Sequence, residues 1–310
     1  MKLSGIHHIT AITGDAPGNV DFYARVMGLR LVKKTVNQDD PTVYHLFFGD
    51  EQGSPGNDLT FFEYPGAAPG RAGDGMVHRI VWRVASPEAI DFWEHRLAGE
   101  GVDAANLDGR LRFHDPEGLE HEFAVVETPD PPLTADHAQV PAEFALRGFD
   151  GARAYSSNPE ASAQTLEQAL AFERTGGGWE ARSEGRGGWI AYDEPPAEQG
   201  FPGAGTVHHI AWASTMDDHM TWRERVVAAG GQITPEIDRF WFRSLYFREP
   251  SGVLFEIATM GPGFGVDEDL AHLGEKLVLP PRFESLRAKL EQTLTPIPDP
   301  TQWRPVRAGS

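Results

Sequence analysis

The chain of 310 residues contains no cysteine, which excludes disulfides, thiolate nucleophiles, iron–sulfur clusters and Cys-ligated zinc together. Lysine is nearly absent too: of 27 basic residues, five are lysine and 22 arginine. Positive charge as a whole is scarce. Against those 27 stand 46 Asp and Glu, and the formal net charge of −19 disfavours binding to nucleic acid phosphates or anionic lipid. No apolar run approaches the roughly 18–20 residues of a membrane-spanning helix. The opening Met1–Thr10 reads straight into a strand with no apolar leader, so a cytoplasmic protein is expected. Neither G-x-x-x-x-G-K-[ST] nor G-x-S-x-G occurs, so the usual nucleotide loop and serine elbow are missing. Any metal must be held by His, Asp or Glu.

What the chain does contain is repetition. Gly5-Ile6-His7-His8-Ile9-Thr10 returns as Thr206-Val207-His208-His209-Ile210-Ala211, and more weakly as Met76-Val77-His78-Arg79-Ile80-Val81. Each copy begins a run of strand formers and is followed by an amphipathic stretch, over 16–27, 87–99 and 216–229. Val20, Tyr23 and Met27 mark the core face of the first stretch; Met220, Val226 and Val227 mark that of the last. A second phrase repeats as well: 115–123 matches 249–257, an acid–Pro–x–Gly turn feeding a strand with Glu122 or Glu256 four residues after the glycine.

The plan is α+β, a β-α-β-β-β module four times, over about 5–65, 76–127, 147–195 and 206–260. Along the chain this gives modules one and two within 1–130, modules three and four within 145–262, and a C-terminal helix and tail over 263–310. Linkers are expected at 66–74, 128–141 and 195–205, and hairpin turns at Gly176–Gly178 and Gly185–Gly188. A helix is expected over 281–294 with Phe283, Leu286 and Leu290 on one face, and the tail from Thr295 to Ser310 should wrap the surface.

Strand alternation sorts the histidines. His7, Ile9 and Ala11 share one face, and His8, Thr10 and Ile12 the other. In the repeat, His208, Ile210 and Trp212 oppose His209, Ala211 and Ala213. The bulkier apolar face should pack under the helix, which leaves His8 and His209 on the concave side. The same rule places Val253, Phe255 and Ile257 under the helix and Glu256 inside. Two imidazoles and a carboxylate suit a divalent first-row metal: Fe(II) in an oxygenase, Mn(II), or Zn(II) in a hydrolase. The ordinary alternative is hydrogen-bonded strand histidines with no metal. Glu63, on the last strand of module one, is a candidate fourth ligand, although its spacing from the turn differs. Glu122 faces Arg79 rather than a histidine, and a salt bridge is expected there.

With its repeated modules and inward His8, His209 and Glu256, the chain resembles the vicinal oxygen chelate superfamily, which includes glyoxalase I, extradiol dioxygenases, and fosfomycin- and bleomycin-resistance proteins. Within it, the chain is similar to the hydroquinone 1,2-dioxygenase type over nearly its whole length, including Gly274-Glu275-Lys276-Leu277. The histidines of modules one and four carry this likeness, since module three has Asp150-Gly151 at the matching place. The resemblance implies that modules one and four form one cup-shaped mixed sheet and modules two and three another. It implies an Fe(II)-dependent ring-cleaving dioxygenase, with Mn(II) as the alternative ion, acting with O2 on hydroquinone- or catechol-type aromatics. It places His7, Thr10, His208, Arg239 and Tyr246 around the metal as catalytic residues, and implies a homo-oligomer. Phe47, Phe61, Phe240 and Trp241 are candidate pocket walls. The competing readings are a glyoxalase-like lyase or isomerase, which a fourth ligand at Glu63 would favour, a metal-dependent thiol transferase, and a metal-free module that binds an aromatic compound.

Overall fold

Every module opens on a glycine in the left-handed region: Gly5 (φ 73°), Gly75 (79°), Gly148 (91°) and Gly205 (79°). Two of these glycines are also points of close approach. A Cβ on Gly5 would lie 2.7 Å from the Gly187 carbonyl carbon, and one on Gly205 would lie 2.0 Å from the Glu117 oxygen. Only glycine satisfies both the turn and the contact. The computed structural model describes residues 1–305; the part of the expected tail over 306–310 lies outside the described residues.

After these turns the modules unfold in the expected order. Module one contributes β1 (Ile6–Thr13), β2 (Arg30–Val36), β3 (Tyr44–Gly49) and β4 (Asp58–Glu63). Module two contributes β5 (Val77–Val84), β6 (Ala104–Leu107), β7 (Arg110–His114) and β8 (Glu120–Val125). Module three contributes β9 (Phe149–Tyr155), β10 (Glu173–Thr175), β11 (Gly178–Arg182) and β12 (Gly187–Asp193). Module four contributes β13 (Val207–Ser214), β14 (Ile237–Asp238), β15 (Arg243–Arg248) and β16 (Leu254–Thr259).

Among the described residues these strands make two eight-stranded mixed sheets. The first runs β14-β15-β16-β13-β1-β4-β3-β2 and joins module four to module one; the second runs β10-β11-β12-β9-β5-β8-β7-β6 and joins module three to module two. In each, the first strands of two modules pair antiparallel at the centre while each lies parallel to its own module's last strand. One continuous apolar core, holding Trp82, Trp93, Trp212 and Trp222, spans both sheets. A smaller cluster of Val32, Phe47, Trp241, Phe242 and Phe264 fills the first sheet's concave side.

The helices depart from their sequence pattern in detail. The stretch expected as one helix over 16–27 is α1 (Ala16–Val20) followed by a π-helical turn over Asp21–Val26. Val20, Tyr23 and Met27 are nevertheless all buried. In module two, α2 (Pro87–Gly99) has the expected bounds, capped by Ser86. In module four, α3 (His219–Ala228) starts three residues late and buries His219, Trp222 and Val226, leaving the expected core residues Met220 and Val227 exposed. The bulky indole and imidazole win the inward face over more flexible chains. Residues 281–294 split into a 3-10 turn (Pro281–Leu286) and α4 (Arg287–Thr293), with Phe283 and Leu286 half-buried and Leu290 buried. Gly176 and Gly177 do form a hairpin turn, but Gly187 and Gly188 belong to β12, where they let Gly5 and Ile6 approach.

The linkers pack rather than dangle. Segment 66–74 pairs with 195–205 through Arg71 and Phe201, whose backbones exchange hydrogen bonds of 3.0 and 2.9 Å. The C-terminal segment runs along the edge strand β2, where Val278 N–H donates to the Lys34 carbonyl at 2.9 Å. Fully buried Lys33 anchors it by donating to Asp267 at 3.1 Å and to Glu268.

Modules one and two are tied by Tyr23, whose buried hydroxyl donates to Asp115 Oδ2 at 2.8 Å and lies 3.0 Å from His121 Nε2. Tyr23→Phe should therefore destabilise the protein by about 1–3 kcal/mol, the cost of a buried acceptor left unpaired. Urea unfolding measures this; an unchanged midpoint would contradict the assigned bond.

Candidate metal centre

The central pair of the first sheet departs from simple alternation at two places. Ile6 faces Trp212 and His8 faces Ala211, so β1 holds an extra residue, His7, against β13. Thr10 faces His209 and Ala11 faces Val207, so β13 holds the matching extra residue, His208. A bulge turns the local strand and re-aims its side chains. Alternation alone sends His7 and His208 to the face opposite the ligands; the bulges bring each ring against its neighbour instead. His7 Nδ1 lies 2.9 Å from His8 Nδ1, and His208 Nδ1 lies 2.8 Å from His209 Nδ1.

His8, His209 and Glu256 meet where the two modules join. His8 Nε2 is 3.2 Å from His209 Nε2 and 3.2 Å from Glu256 Oε2, and His209 Nε2 is 2.9 Å from the same oxygen. All three side chains are buried. At Glu256 the spacing is in hydrogen-bond range but the angles are not: among the described residues, neither Glu256 oxygen receives a well-directed hydrogen bond. A buried carboxylate without such partners is costly. Three ligands on one octahedral face, with bonds of about 2.1 Å, stand about 3 Å apart. The cluster has that spacing, and the donor set fits a divalent metal.

The hydrogen bonds behind the rings set their tautomers. His7 Nε2 is 3.1 Å from the Thr259 carbonyl, which can only accept, so Nε2 carries the proton. His7 Nδ1 is then the acceptor for His8 Nδ1–H, which fixes the His8 ring with its Nε2 aimed at Glu256. Burial first, then His8, pushes the His7 pKa down to about 3, so its ring is neutral at pH 7. Burial pushes the Glu256 carboxyl up, but His8 and His209 together overcome it and hold it well below the usual range.

Register also locates the fourth corner. Ala211 faces Glu256 across β13 and β16, and the equivalent pair in module one is Thr10 and Thr60. Thr60, not a carboxylate, holds that place, bonded to Thr10 Oγ1 at 2.7 Å and His45 Nε2 at 2.9 Å. Glu63 lies at the end of β4 opposite Thr13, takes hydrogen bonds from Thr295 and the Ala16 backbone, and is outside the cluster.

Above the cluster is a pocket lined by Phe47, Phe62, Trp241, Phe242, His45, Arg239 and Tyr246, with Asn37, Gln38 and Asp39 at its mouth. Phe242 packs on His8 at 5.2 Å and Tyr246 on His209 at 5.7 Å between ring centroids. The Arg239 guanidinium lies 5.5 Å from the Tyr246 ring centre. Burial first, then Glu256, raises the Tyr246 hydroxyl's pKa, so it keeps its proton. Arg239 and Tyr246, which the resemblance places near the metal, line this pocket together with Phe47 and Trp241. Two expected walls do not. Phe61 alternates into the core against Tyr23, and Phe240 borders a larger open groove along the C-terminal segment. Phe62, His45 and Phe242 were missed. For Phe62 the signal existed, since it lies two residues beyond Thr60 on the concave face.

The second sheet repeats this architecture with different residues. Its register slips at His78 and Asp150, the places of His7 and His208. Val81 faces Glu122 as Ala211 faces Glu256, but Arg79 replaces His8 and Gly151 replaces His209. A Cβ on Gly151 would lie 2.2 Å from the Trp189 ring, so the indole fills the space. Arg79, Arg110 and Arg112 pair with Glu122, as the sequence predicts for Arg79. Alongside, Arg153 and His78 donate to Asp193 at 2.7 and 2.8 Å, and Arg79 lies 2.9 Å from Glu120.

Those contacts give a pH signature. Arg153 first, then His78, lowers Asp193 to about 2 against a burial penalty; burial raises Glu120, but His78 and Arg79 bring it to about 2. Both lie below their ordinary values of 3.8 and 4.5, so their stabilisation is complete above those values and is lost as pH falls toward about 2. The urea midpoint should fall over that range, and less steeply in Arg153→Met. An equally steep fall in the variant would contradict the assignment.

The sequence model of the glyoxalase/bleomycin resistance protein/dioxygenase superfamily matches residues 5–136 and 148–257. The chain belongs to this superfamily. It is 43% identical over 304 residues to the Bacillus subtilis protein named "Putative ring-cleaving dioxygenase MhqO", covering 95% of this chain and 97% of that one. It is 31% identical over 312 residues to the chlorohydroquinone/hydroquinone 1,2-dioxygenase of Sphingobium indicum, covering 94% and 96%. A crystal structure of a Bacillus subtilis protein described as a "putative dioxygenase" matches with a TM-score of 0.89 at 42% identity, over 96% of this chain and 98% of that one. Maize glyoxalase I shares the superfamily's fold, with a TM-score of 0.57 at 14% identity over 83% of this chain and 92% of that one. Among the described residues, no helix is long and apolar enough to cross a membrane.

Proposed function

We propose that this member of the superfamily is an Fe(II)-dependent dioxygenase that opens hydroquinone- or catechol-type rings with O2. The observation that carries the reading is the convergence of His8, His209 and Glu256 on one point, with the Glu256 oxygens otherwise unpaired, beneath an aromatic pocket. The relatives' names support it, and the same donors fit Mn(II).

His8, His209 and Glu256 would hold the metal, and the chemistry it would supply there is Lewis-acid activation of a ring hydroxyl and binding of O2. The rest falls to the chain. Phe47, Phe62, Trp241 and Phe242 clasp a flat ring and keep water from it. The Tyr246 hydroxyl is placed to steady negative charge as the ring loses its proton, and the Arg239 guanidinium, bonded to Asp39, covers the Tyr246 ring from the mouth. His208, exposed to solvent, meets His209 Nδ1 and so holds that ring's Nε2 toward the cluster. Thr10 acts through Thr60, which holds the His45 ring against the pocket.

The glyoxalase-like alternative lacks its fourth carboxylate, because Thr60 stands there. A metal-free binding module would have no use for an unpaired buried Glu256. The test is incubation of iron-loaded protein with hydroquinone under ¹⁸O-labelled O2. A ring-opened product carrying both labelled atoms is expected; an isomerised or unlabelled product would overturn the reading.

A further inference from the structure

Among the described residues Arg239 is the one Lys or Arg side chain that lines the pocket, and it is already engaged. Its Nη1 and Nη2 donate to Asp39 Oδ1 and Oδ2 at 3.0 and 2.9 Å, a two-point contact that fixes direction as well as distance. The Arg239 side chain is 13% exposed and that of Asp39 71%, so the pair spans the mouth with its negative end in water. Asp39 and its neighbour Gln38 are both tied down. The Asp39 N–H donates to Asn37 Oδ1 at 3.0 Å, Gln38 Nε2 donates to the Arg239 carbonyl at 2.7 Å, and Arg282 donates to Gln38 Oε1 at 2.6 Å. Phe240 follows Arg239 at φ 74°, a left-handed conformation that a bulky residue adopts only where its surroundings impose it.

We infer that the Asp39–Arg239 pair is a charge filter, which makes the site selective for dihydroxybenzenes that carry no anionic ring substituent. The inference rests on the ring-binding reading above. A carboxylated ring would need a cation in the pocket, and the one present is cancelled by Asp39. A second wall donor is also occupied, since Trp241 Nε1–H donates to Asp267 at 3.0 Å. Entry would further bring the ring's carboxylate past Asp39 itself. The net charge of −19 acts in the same sense at long range, but salt screens it beyond about 10 Å, whereas a direct pair is screened much less. Asp39 is thus a specificity residue acting through Arg239, and it takes no part in the ring chemistry.

The experiment is anaerobic binding of hydroquinone and of 2,5-dihydroxybenzoate to the metal-loaded protein, followed by calorimetry at high salt. The wild type should prefer the uncharged ring. Asp39→Asn should shift the affinity ratio toward the carboxylated ring by about tenfold or more, by freeing Arg239, and Asp39→Glu should keep the wild-type ratio. Comparing ratios between variants cancels any direct contact of the ring carboxylate with the metal. A ratio that stays within about twofold in Asp39→Asn overturns the filter and leaves the ring-binding reading standing. Failure of the wild type to bind either ring overturns both.

Discussion

Glu256→Gln should empty the site of metal and lower kcat/KM by about a thousandfold or more, with the fold intact. Glu256 is the cluster's only carboxylate, and its oxygens are buried without a well-directed partner. Such a residue weakens the empty protein and is kept for what it binds. The amide keeps the shape but removes the charge that two neutral imidazoles need beside them to hold a divalent ion. The loss is visible without turnover: added Fe(II) under argon should raise the Tm of the wild type and not that of the variant. Stoichiometric iron in Glu256→Gln would show that the carboxylate is not a ligand.

The two bulged histidines should differ in how firmly they support the metal. His7 is buried and fixed at both nitrogens, by the Thr259 carbonyl and by His8. His7→Leu frees the His8 ring to rotate and change tautomer, and should weaken metal binding by about 10- to 100-fold. His208 touches His209 in the same way but is exposed, and among the described residues no carbonyl fixes its outer nitrogen. It therefore restrains its neighbour less firmly, and His208→Leu should weaken metal binding less than His7→Leu does. Metal titrations distinguish the two. Equal losses of metal in both variants would contradict the division.

The three cluster residues were legible because each lies on a strand whose two faces differ in bulk, and the repeat put the same residue types at the same positions. Alternation needs only local sequence. The bulges at His7 and His208 were not legible in the strand pattern, since they are a slip between β1 and β13, two strands separated by most of the chain. Only the resemblance placed these residues near the ligands. The pocket walls divide the same way. Phe47 and Phe62 follow from counting along strands that also carry His45 and Thr60, although Phe61 was chosen in place of Phe62. Phe242 and the mouth residue Asp39 sit in connecting segments whose course is set by distant partners, Arg282 among them. The pairing of module one with module four was legible only through the resemblance, whereas the opening glycines explain why each module can begin where another packs against it.

The most direct measurement is elemental analysis of protein purified without air, followed on the same sample by O2 uptake with hydroquinone and with catechol. Stoichiometric iron with rapid uptake, one O2 for each ring opened, is the predicted result. Stoichiometric zinc or nickel with no uptake from either ring, or no bound metal at all, would contradict the assignment of His8, His209 and Glu256 to O2-dependent ring opening.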